Sequence, residues 1–162
     1  MVSRRAVLGL GIGGAATLLA GVSADLVIGR SSETVLPHFP HARPGPLLSG
    51  SFYSRARRRR VGWTISYPPG HAPGDALPVC VVLHGYDSDH RYPFTTLDLQ
   101  AAQAQLVNGK PLAPVVLASI DGGDTYRHRR RDGDDPIAMI LDEYLPMLAE
   151  RHLETHKIAA LG

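Results

Sequence analysis

The stretch that decides the fold is Pro78-Val79-Cys80-Val81-Val82-Leu83-His84-Gly85-Tyr86-Asp87. Its first half is a short apolar run rich in β-branched residues, which predicts a strand buried on both faces of a parallel sheet. Its second half becomes polar at His84-Gly85, where a residue without a Cβ lets backbone N–H groups approach a ligand closely. Ligands of open α/β sheets bind just beyond the carboxyl ends of the strands. We therefore expect the chemistry of this chain at His84-Gly85.

Four further strands and two helices are predicted around this stretch. The predicted strands cover 50–54, 61–67, 115–120 and 156–161, and the predicted helices cover 95–107, which Asn108-Gly109 should end, and 136–151, which Pro146 should bend. Two antiparallel-type strands followed by strand, helix, strand, helix and strand predict an α/β domain with a mostly parallel sheet and flanking helices. The strand at 156–161 should be buried in such a sheet, and residues 1–162 hold nothing after it to cover its free side.

Composition narrows the class of protein. The chain has 162 residues, of which 44% are hydrophobic and 20% are charged, as in an ordinary soluble domain. Its one cysteine, Cys80, lies in the predicted buried strand and is best explained by packing. Without Arg4 and Arg5, fifteen basic residues face fifteen acidic ones, so the overall charge predicts no nucleic-acid partner.

The first 47 residues are predicted to lie outside the folded domain. Arg4-Arg5, an uncharged run over 6–24 and small residues at 22–24 predict a secretory signal over 1–24, similar to a twin-arginine signal that engages the export machinery. The alternative is an uncleaved anchor that contacts the membrane through 6–24. Both predict an exported domain, secreted or in the cell envelope. Four prolines without hydrophobic periodicity make 25–47 a linker, which leaves 48–162 as the domain.

Several charged clusters are interpreted as solvated surface. Five arginines in 55–60 sit between the first two predicted strands and favour an exposed turn over binding to anionic lipid or nucleic acid. The arginines of 127–131 and the acids of 132–135 are expected to balance each other at the surface. Asp87, Asp89 and His90 share one loop, which we interpret as solvated, so no metal site is predicted.

The order of elements and four short motifs resemble a known family. The motifs are Val-Val-Leu-His-Gly at 81–85, Asp-Gly-Gly at 121–123, Tyr126 with His128, and Asp-Gly-Asp-Asp-Pro at 132–136. Together they look like the esterase family of α/β-hydrolases that includes esterase D and the secreted mycolyltransferases of actinobacteria. The resemblance covers 48–162 and implies the first half of an α/β-hydrolase fold.

The resemblance also implies a chemistry. Such enzymes are serine esterases or acyltransferases that work through an acyl-serine on small-molecule, lipid or sugar esters, without a metal or organic cofactor. The backbone N–H of Tyr86 would stabilise the oxyanion, and Gly85 would give it room. The positions that would line the substrate pocket are His84, Asp87, Asp121, Asp124 and His128.

The catalytic serine of that family lies in a G-x-S-x-G elbow directly after the strand that corresponds to 157–161. Gly162 fits the first glycine of this elbow, so the serine would lie two residues further on, and the acid and the histidine later still. We therefore expect residues 1–162 alone to be inactive. The alternative is a non-catalytic cell-envelope or carbohydrate-binding protein built on the same half-fold.

Overall fold

A computed structural model describes residues 42–124 and 126–162 of the chain. The predicted signal or anchor at 1–24 and the predicted linker up to residue 41 lie outside the described residues. The end of that linker packs on the domain, because the backbone N–H of Tyr67 donates to the Pro46 carbonyl oxygen at 2.9 Å and Gln100 Nε2 donates to that of Gly45 at 2.9 Å.

A five-stranded mixed sheet forms the centre of the described domain. Its strands in spatial order are β1 (Leu47–Ser54), β2 (Arg59–Ser66), β6 (Val116–Ile120), β3 (Pro78–Val82) and β7 (Glu154–Leu161). The pairs β1–β2 and β2–β6 are antiparallel, whereas β3 runs parallel to both β6 and β7. The predicted apolar runs thus form the parallel part of the sheet, and β3 lies in its interior as expected.

The hydrophobic core lies against β2, β3 and β6. It contains Val61, Ile65, Tyr67, Leu77, Val79, Val81, Val116, Ala118, Ile120, Met139, Ile140, Tyr144, Leu148 and Leu153. Its helical members are Met139, Ile140, Tyr144 and Leu148, which lie within the helix predicted over 136–151. The hydroxyl of Tyr144 donates to the Ser119 carbonyl oxygen at 3.0 Å. Cys80 is half-buried in β3, and burial raises the pKa of its thiol. Cys80 thus packs within the sheet, in agreement with the packing role that the sequence predicts for it.

The C-terminal helical run begins with α3 (Pro136–Ala138), continues as a π-helical segment (Met139–Tyr144) and ends with α4 (Leu145–Ala149). Asp135 caps it, because its carboxylate accepts a hydrogen bond from the backbone N–H of Ala138 at 3.0 Å. Pro146 was predicted to disturb this helix. The structure has a π-helical segment that ends at Tyr144, two residues before Pro146, and such segments are among the features that bend helices.

The prediction of one helix over 95–107 is wrong, since only Thr95 and Leu99–Gln103 of this range are helical. The structure has two short helices, α1 (Tyr92–Thr95) and α2 (Leu99–Gln103), followed by a small hairpin of β4 (Leu106–Val107) and β5 (Lys110–Pro111). Asn108 has φ 53° and Gly109 has φ 73°, so this dipeptide forms the tight turn of the hairpin. The prediction assigned it to a helix end, where glycine and asparagine adopt the same left-handed conformation.

Strand β7 exists as predicted, but it is not buried. It is the terminal strand of the sheet among the described residues, and its apolar side chains face solvent, with Ile158 40% exposed and Leu161 51% exposed. Its free edge therefore has the uncovered apolar surface that the sequence led us to expect.

One arginine of the predicted solvated turn is buried. Arg57 Nε lies 2.9 Å from Asp134 Oδ1, and Arg57 Nη2 lies 3.1 Å from Asp134 Oδ2. Both residues are almost fully buried, which corrects the expectation that each belongs to the surface. The ion pair ties the β1–β2 turn to the start of the C-terminal helical run.

Candidate active site

A cleft of about 940 Å³ opens beyond the carboxyl ends of β3 and β7. It is lined by Leu83, His84, Gly85, Tyr86, Gly123, Asp124, Tyr126, Arg127, Ala160, Leu161 and Gly162. Ala160 and Leu161 belong to β7, residues 83–86 follow β3, and the lining residues from Gly123 to Arg127 follow β6. This is the end of the sheet where ligands of open α/β folds bind.

Strand pairing brings Gly162 beside the loop that follows β3. Val82 pairs with Leu161, and the backbone N–H of Leu83 donates to the Leu161 carbonyl oxygen at 2.7 Å. A Cβ added to Gly162 would lie 3.2 Å from Leu83 Cβ. The chain therefore leaves β7 next to His84-Gly85, at the base of the cleft.

His84 is buried and fixes the loop through both of its ring nitrogens. Its Nε2 accepts a hydrogen bond from the backbone N–H of Gly122 at 2.9 Å, so the proton of the neutral imidazole lies on Nδ1. Nδ1 then donates to the Gly85 carbonyl oxygen at 2.8 Å. The side chain is only 4% exposed, so His84 joins the loops after β3 and β6 rather than presenting a free imidazole to the cleft.

The peptide between Gly85 and Tyr86 is held in one orientation. Its carbonyl oxygen accepts from His84 Nδ1 and also from Ser88 Oγ at 2.8 Å. Because C=O and N–H point in opposite directions across a trans peptide, these two bonds also fix the direction of the Tyr86 N–H. No residue of 42–124 or 126–162 accepts a hydrogen bond from that N–H. The expected oxyanion donor is therefore preorganised and available.

Glycine at 122 and 123 allows two guanidinium groups to approach the loop after β6. A Cβ on Gly122 would lie 2.5 Å from Arg127 Nε, and one on Gly123 would lie 2.8 Å from Arg57 Nη2. Gly123 also has φ 73°, in the region that favours glycine. The Asp-Gly-Gly motif is thus explained by close packing against Arg57 and Arg127.

Arg127 is half-buried at the wall of the cleft. Its Nη2 donates to the His84 carbonyl oxygen at 2.7 Å, while its Nε is buried without an acceptor. Burial lowers the pKa of the guanidinium, and the charge of Arg57 lowers it further. The expectation that Arg127 forms part of a balanced surface cluster is wrong, since no carboxylate of the described residues pairs with it.

Asp121 lies behind the site and does not line the cleft. Its Oδ1 accepts from the backbone N–H of His90 at 2.7 Å, and its Oδ2 accepts from that of Gly62 at 3.1 Å. It therefore joins β2, the loop after β3 and the end of β6. His90 is partly buried in the same cluster, with Nδ1 at 2.7 Å from Thr64 Oγ1, and burial lowers its pKa.

The other expected pocket residues fall around the rim. Asp124 lines the main cleft and also a smaller polar cavity of about 340 Å³, which Asp87 shares. His128 is exposed and stacks on Tyr126, with their ring centroids 6.4 Å apart. The structure thus brings His84, Gly85, Tyr86 and Asp124 to the cleft, and leaves Asp87, Asp121 and His128 outside its lining.

Two residues at the site were missed by sequence reasoning. Ser88 belongs to none of the motifs singled out in the sequence, although its spacing of three residues from Gly85 suits a side-chain bond to the backbone. Arg127 lies in a run of arginines, which was interpreted as exposed surface. For Ser88, the local spacing was a usable signal; for Arg127, only its proximity to Asp-Gly-Gly offered one.

The described part of the chain has neither a membrane-spanning helix nor a cluster of metal-ligating side chains. None of the helices in 42–124 and 126–162 is long and apolar enough to cross a bilayer. The same residues hold no group of three or more histidine, cysteine, aspartate or glutamate side chains placed to bind a metal ion. Asp89 instead accepts from the backbone N–H of Arg91 at 2.8 Å and pairs with its guanidinium.

Comparison with solved structures identifies the architecture. No family model matches the sequence, and no curated protein is significantly similar to it. A ferulic acid esterase matches with TM-score 0.57 and 15% identity over 71% of this chain and 49% of its own. A CE1 ferulic acid esterase from Anaeromyces mucronatus matches with TM-score 0.57 and 14% identity over 70% and 46% of the two chains.

A third solved structure agrees with these two. The S-formylglutathione hydrolase from Agrobacterium tumefaciens matches with TM-score 0.54 and 10% identity over 76% of this chain and 50% of its own. The chain thus spans about half the length of the solved structures it matches. At such identities the likeness concerns the fold. The described part of the chain has a partial α/β-hydrolase fold.

Proposed function

We propose that residues 42–162 form the oxyanion-binding half of the active site of an exported serine esterase or acyltransferase. The observation that carries this proposal is the Gly85–Tyr86 peptide. Two hydrogen bonds hold its carbonyl oxygen, its N–H is free of acceptors in the described part of the chain, and it borders a cleft of about 940 Å³. A rigid, unpaired backbone donor beside a ligand cleft is what stabilisation of a developing negative charge requires.

The proposed reaction follows from this donor. A serine Oγ attacks the carbonyl carbon of an ester and loses its proton to a general base, while the carbonyl oxygen becomes an anion that accepts from the Tyr86 N–H. Collapse of this intermediate expels the alcohol, which takes the proton, and leaves an acyl-serine. Water or a sugar hydroxyl then takes the acyl group. One such donor contributes about 3 kcal/mol of transition-state stabilisation.

The position of the serine is proposed from the course of β7. The strand ends at Leu161, and Gly162 lies beside Leu83 at the base of the cleft. A turn of the form G-x-S-x-G that begins at Gly162 would place its serine two residues later, next to the Tyr86 peptide. The match covers only about half of each solved esterase that shares the fold, which supports a second half that carries the serine, the acid and the histidine.

Export and substrate class belong to the same proposal. The twin-arginine-like residues 1–24 would direct the protein to the export machinery, with cleavage giving a secreted or cell-envelope enzyme and retention giving an anchor through 6–24. The mainly apolar cleft suits the acyl part of a small-molecule, lipid or sugar ester. The chemistry needs no metal or organic cofactor.

The experiment that tests the proposal compares two proteins. Residues 25–162, and the same residues extended by those encoded after codon 162, are assayed with p-nitrophenyl esters and a fluorophosphonate probe. We expect no serine-dependent turnover from the first and labelling of a serine close to Gly162 in the second. Turnover by residues 25–162 that the probe inhibits would refute the proposal, as would coding DNA with no G-x-S-x-G elbow in any frame.

A second candidate function is a non-catalytic protein that binds carbohydrate in the cell envelope. Tyr86 and Tyr126 favour it, because both line the cleft and are largely exposed, at 83% and 85%, and aromatic faces of this kind pack against sugar rings. This function requires residues 42–162 to be stable on their own. Cooperative thermal unfolding of a soluble monomer that binds oligosaccharide would favour it over the esterase.

A further inference from the structure

Arg127 is a cation in the cleft without a matching anion. Of its nitrogens, Nη2 donates to the His84 carbonyl oxygen at 2.7 Å, Nε is buried without an acceptor, and Nη1 has no acceptor among residues 42–124 and 126–162. The ion pairs of this part of the chain include Arg57, Arg59, Arg91, Arg129 and Arg130, but not Arg127. A half-buried guanidinium normally has a carboxylate partner, because removing an unpaired charge from water is costly.

The surroundings of Arg127 hold it in place. Its Nε packs where a Cβ of residue 122 would be, and its bond to His84 links it to the residue that precedes the Gly85–Tyr86 peptide. The Asp134 carboxylate is already paired with Arg57 and forms no ion pair with Arg127. The guanidinium is therefore fixed beside the proposed reaction centre, with its free donors available to a ligand.

The rest of the cleft restricts the class of ligand. Leu83, Ala160 and Leu161 supply apolar surface, and Asp124 carries the opposing charge. Asp124 is exposed at the rim, where water screens it, whereas Arg127 is half-buried and its field is screened less. An apolar wall with one unpaired cation suits an organic carboxylate that has an apolar body.

We propose that Arg127 binds a carboxylate group of the ligand, so that the cleft selects esters that carry a free carboxylate. The carboxylate oxygens accept from the terminal nitrogens of Arg127 in charge-assisted hydrogen bonds, which are about twice as strong as neutral ones. The assignment of this ligand as substrate rests on the proposed function, whereas the binding itself needs no nucleophile. The two claims therefore fail in different experiments.

The test uses residues 25–162 extended by the residues encoded after codon 162, and a pair of probes of similar shape, one charged and one neutral. Backbone amide shifts are followed by NMR during titration with 3-phenylpropionate and, separately, with 3-phenylpropionamide. We expect the carboxylate to shift the amides of the cleft with a lower Kd than the amide, and raising NaCl from 0.05 to 0.5 M to weaken only the carboxylate.

Variants assign the effect to one side chain. Arg127→Gln should weaken carboxylate binding by about tenfold or more and leave the amide unchanged, since a hydrogen bond to a charged group is lost. Arg131→Gln, an exposed arginine of the same loop, is the matched control and should change neither Kd more than about twofold. If Arg127→Gln does not fold, Arg127→Lys keeps a charge without the planar fork and should show an intermediate Kd.

Three outcomes would overturn the inference. They are equal affinity for carboxylate and amide, carboxylate binding that survives Arg127→Gln unchanged, and no binding of the carboxylate at all. Loss of fluorophosphonate labelling in the extended protein would instead count against the esterase and leave the Arg127 site standing. The binding experiment thus tests whether the cleft binds carboxylates, independently of whether the protein is an esterase.

Discussion

At the scale of single residues, the site depends on contacts that glycine permits. A Cβ on Gly122 would displace Arg127, whereas a Cβ on Gly85 would meet no atom within 4 Å. We predict that Gly122→Ala lowers the free energy of unfolding by about 1–2 kcal/mol through overpacking, while Gly85→Ala changes it by less than about 0.5 kcal/mol. Urea denaturation measures both. In an Arg127→Ala background the cost of Gly122→Ala should largely disappear, and an undiminished cost would show that the guanidinium is not the obstacle.

Ser88 gives a second prediction at this scale. Its hydroxyl and the His84 imidazole share the Gly85 carbonyl oxygen, so Ser88→Ala removes one of the two bonds that fix the Tyr86 N–H. We expect a lower 15N order parameter at Tyr86 in the variant and a loss of about 1 kcal/mol of stability. Ser51→Ala, an exposed serine of β1, is the control. An order parameter at Tyr86 that matches the parent protein would contradict the role assigned to Ser88.

The residue scale also shows where sequence reasoning stops. Strand β3 and the His84-Gly85 turn follow from a local change from apolar to polar residues, so their place at the cleft was predictable. The positions of Arg127, which has no carboxylate partner in the described part of the chain, and of the buried Arg57 were not predictable, because arginine in a charged run ordinarily indicates exposure to solvent. Only the three-dimensional position of Asp134, 77 residues from Arg57, explains the burial of that side chain.

At the scale of elements, the ion pair between Arg57 and Asp134 connects the β1–β2 turn to the C-terminal helical run. We predict that Arg57→Ala lowers the free energy of unfolding by about 2–4 kcal/mol, because it removes both hydrogen bonds to a buried carboxylate and leaves it only the longer ion pairs with Arg59 at 3.7 Å and Arg130 at 3.9 Å. Arg55→Ala is the matched control in the same turn and should change it by less than about 0.5 kcal/mol, since the Arg55 side chain is exposed. Similar losses for both variants would mean that the arginine run acts by its overall charge.

Elements also explain the error at Asn108-Gly109. Both a helix end and a two-residue hairpin turn use left-handed backbone at this dipeptide, so its composition does not distinguish them. The pairing of Leu106–Val107 with Lys110–Pro111 makes this dipeptide a hairpin turn and not a helix end. By contrast, the structure confirms a helical run from Pro136 to Ala149 within the helix predicted over 136–151.

At the scale of the whole molecule, stability should depend on pH through His90 and Asp134. Burial holds the pKa of His90 below its ordinary value of 6.5, so the unfolded chain binds this proton more readily than the folded one. Protonation of His90 therefore does not lower the free energy of unfolding above about pH 6.5. Below that pH the free energy of unfolding falls, by at most about 1.4 kcal/mol per pH unit.

Urea unfolding at pH 7.5, 6.5 and 5.5 measures this dependence. His90→Gln should flatten the curve in that window, and an unchanged slope would contradict the assignment to His90. The Arg57 guanidinium lowers the pKa of Asp134 below its ordinary value, so the stability that this carboxylate contributes is present above about pH 4. It is lost as the pH falls through the lowered pKa, which separates its effect from that of His90.

The whole molecule is organised around the ends of β3 and β7, where a fixed peptide borders a cleft. The central claim is that the Tyr86 N–H stabilises an oxyanion. The most direct measurement is kcat of the protein extended beyond Gly162, with Tyr86 replaced by its α-hydroxy acid, which keeps the side chain, replaces the N–H by an ester oxygen and weakens the Gly85 carbonyl as an acceptor. We predict that kcat falls by about 10²- to 10³-fold while KM changes little. A kcat equal to that of the parent would contradict the claim.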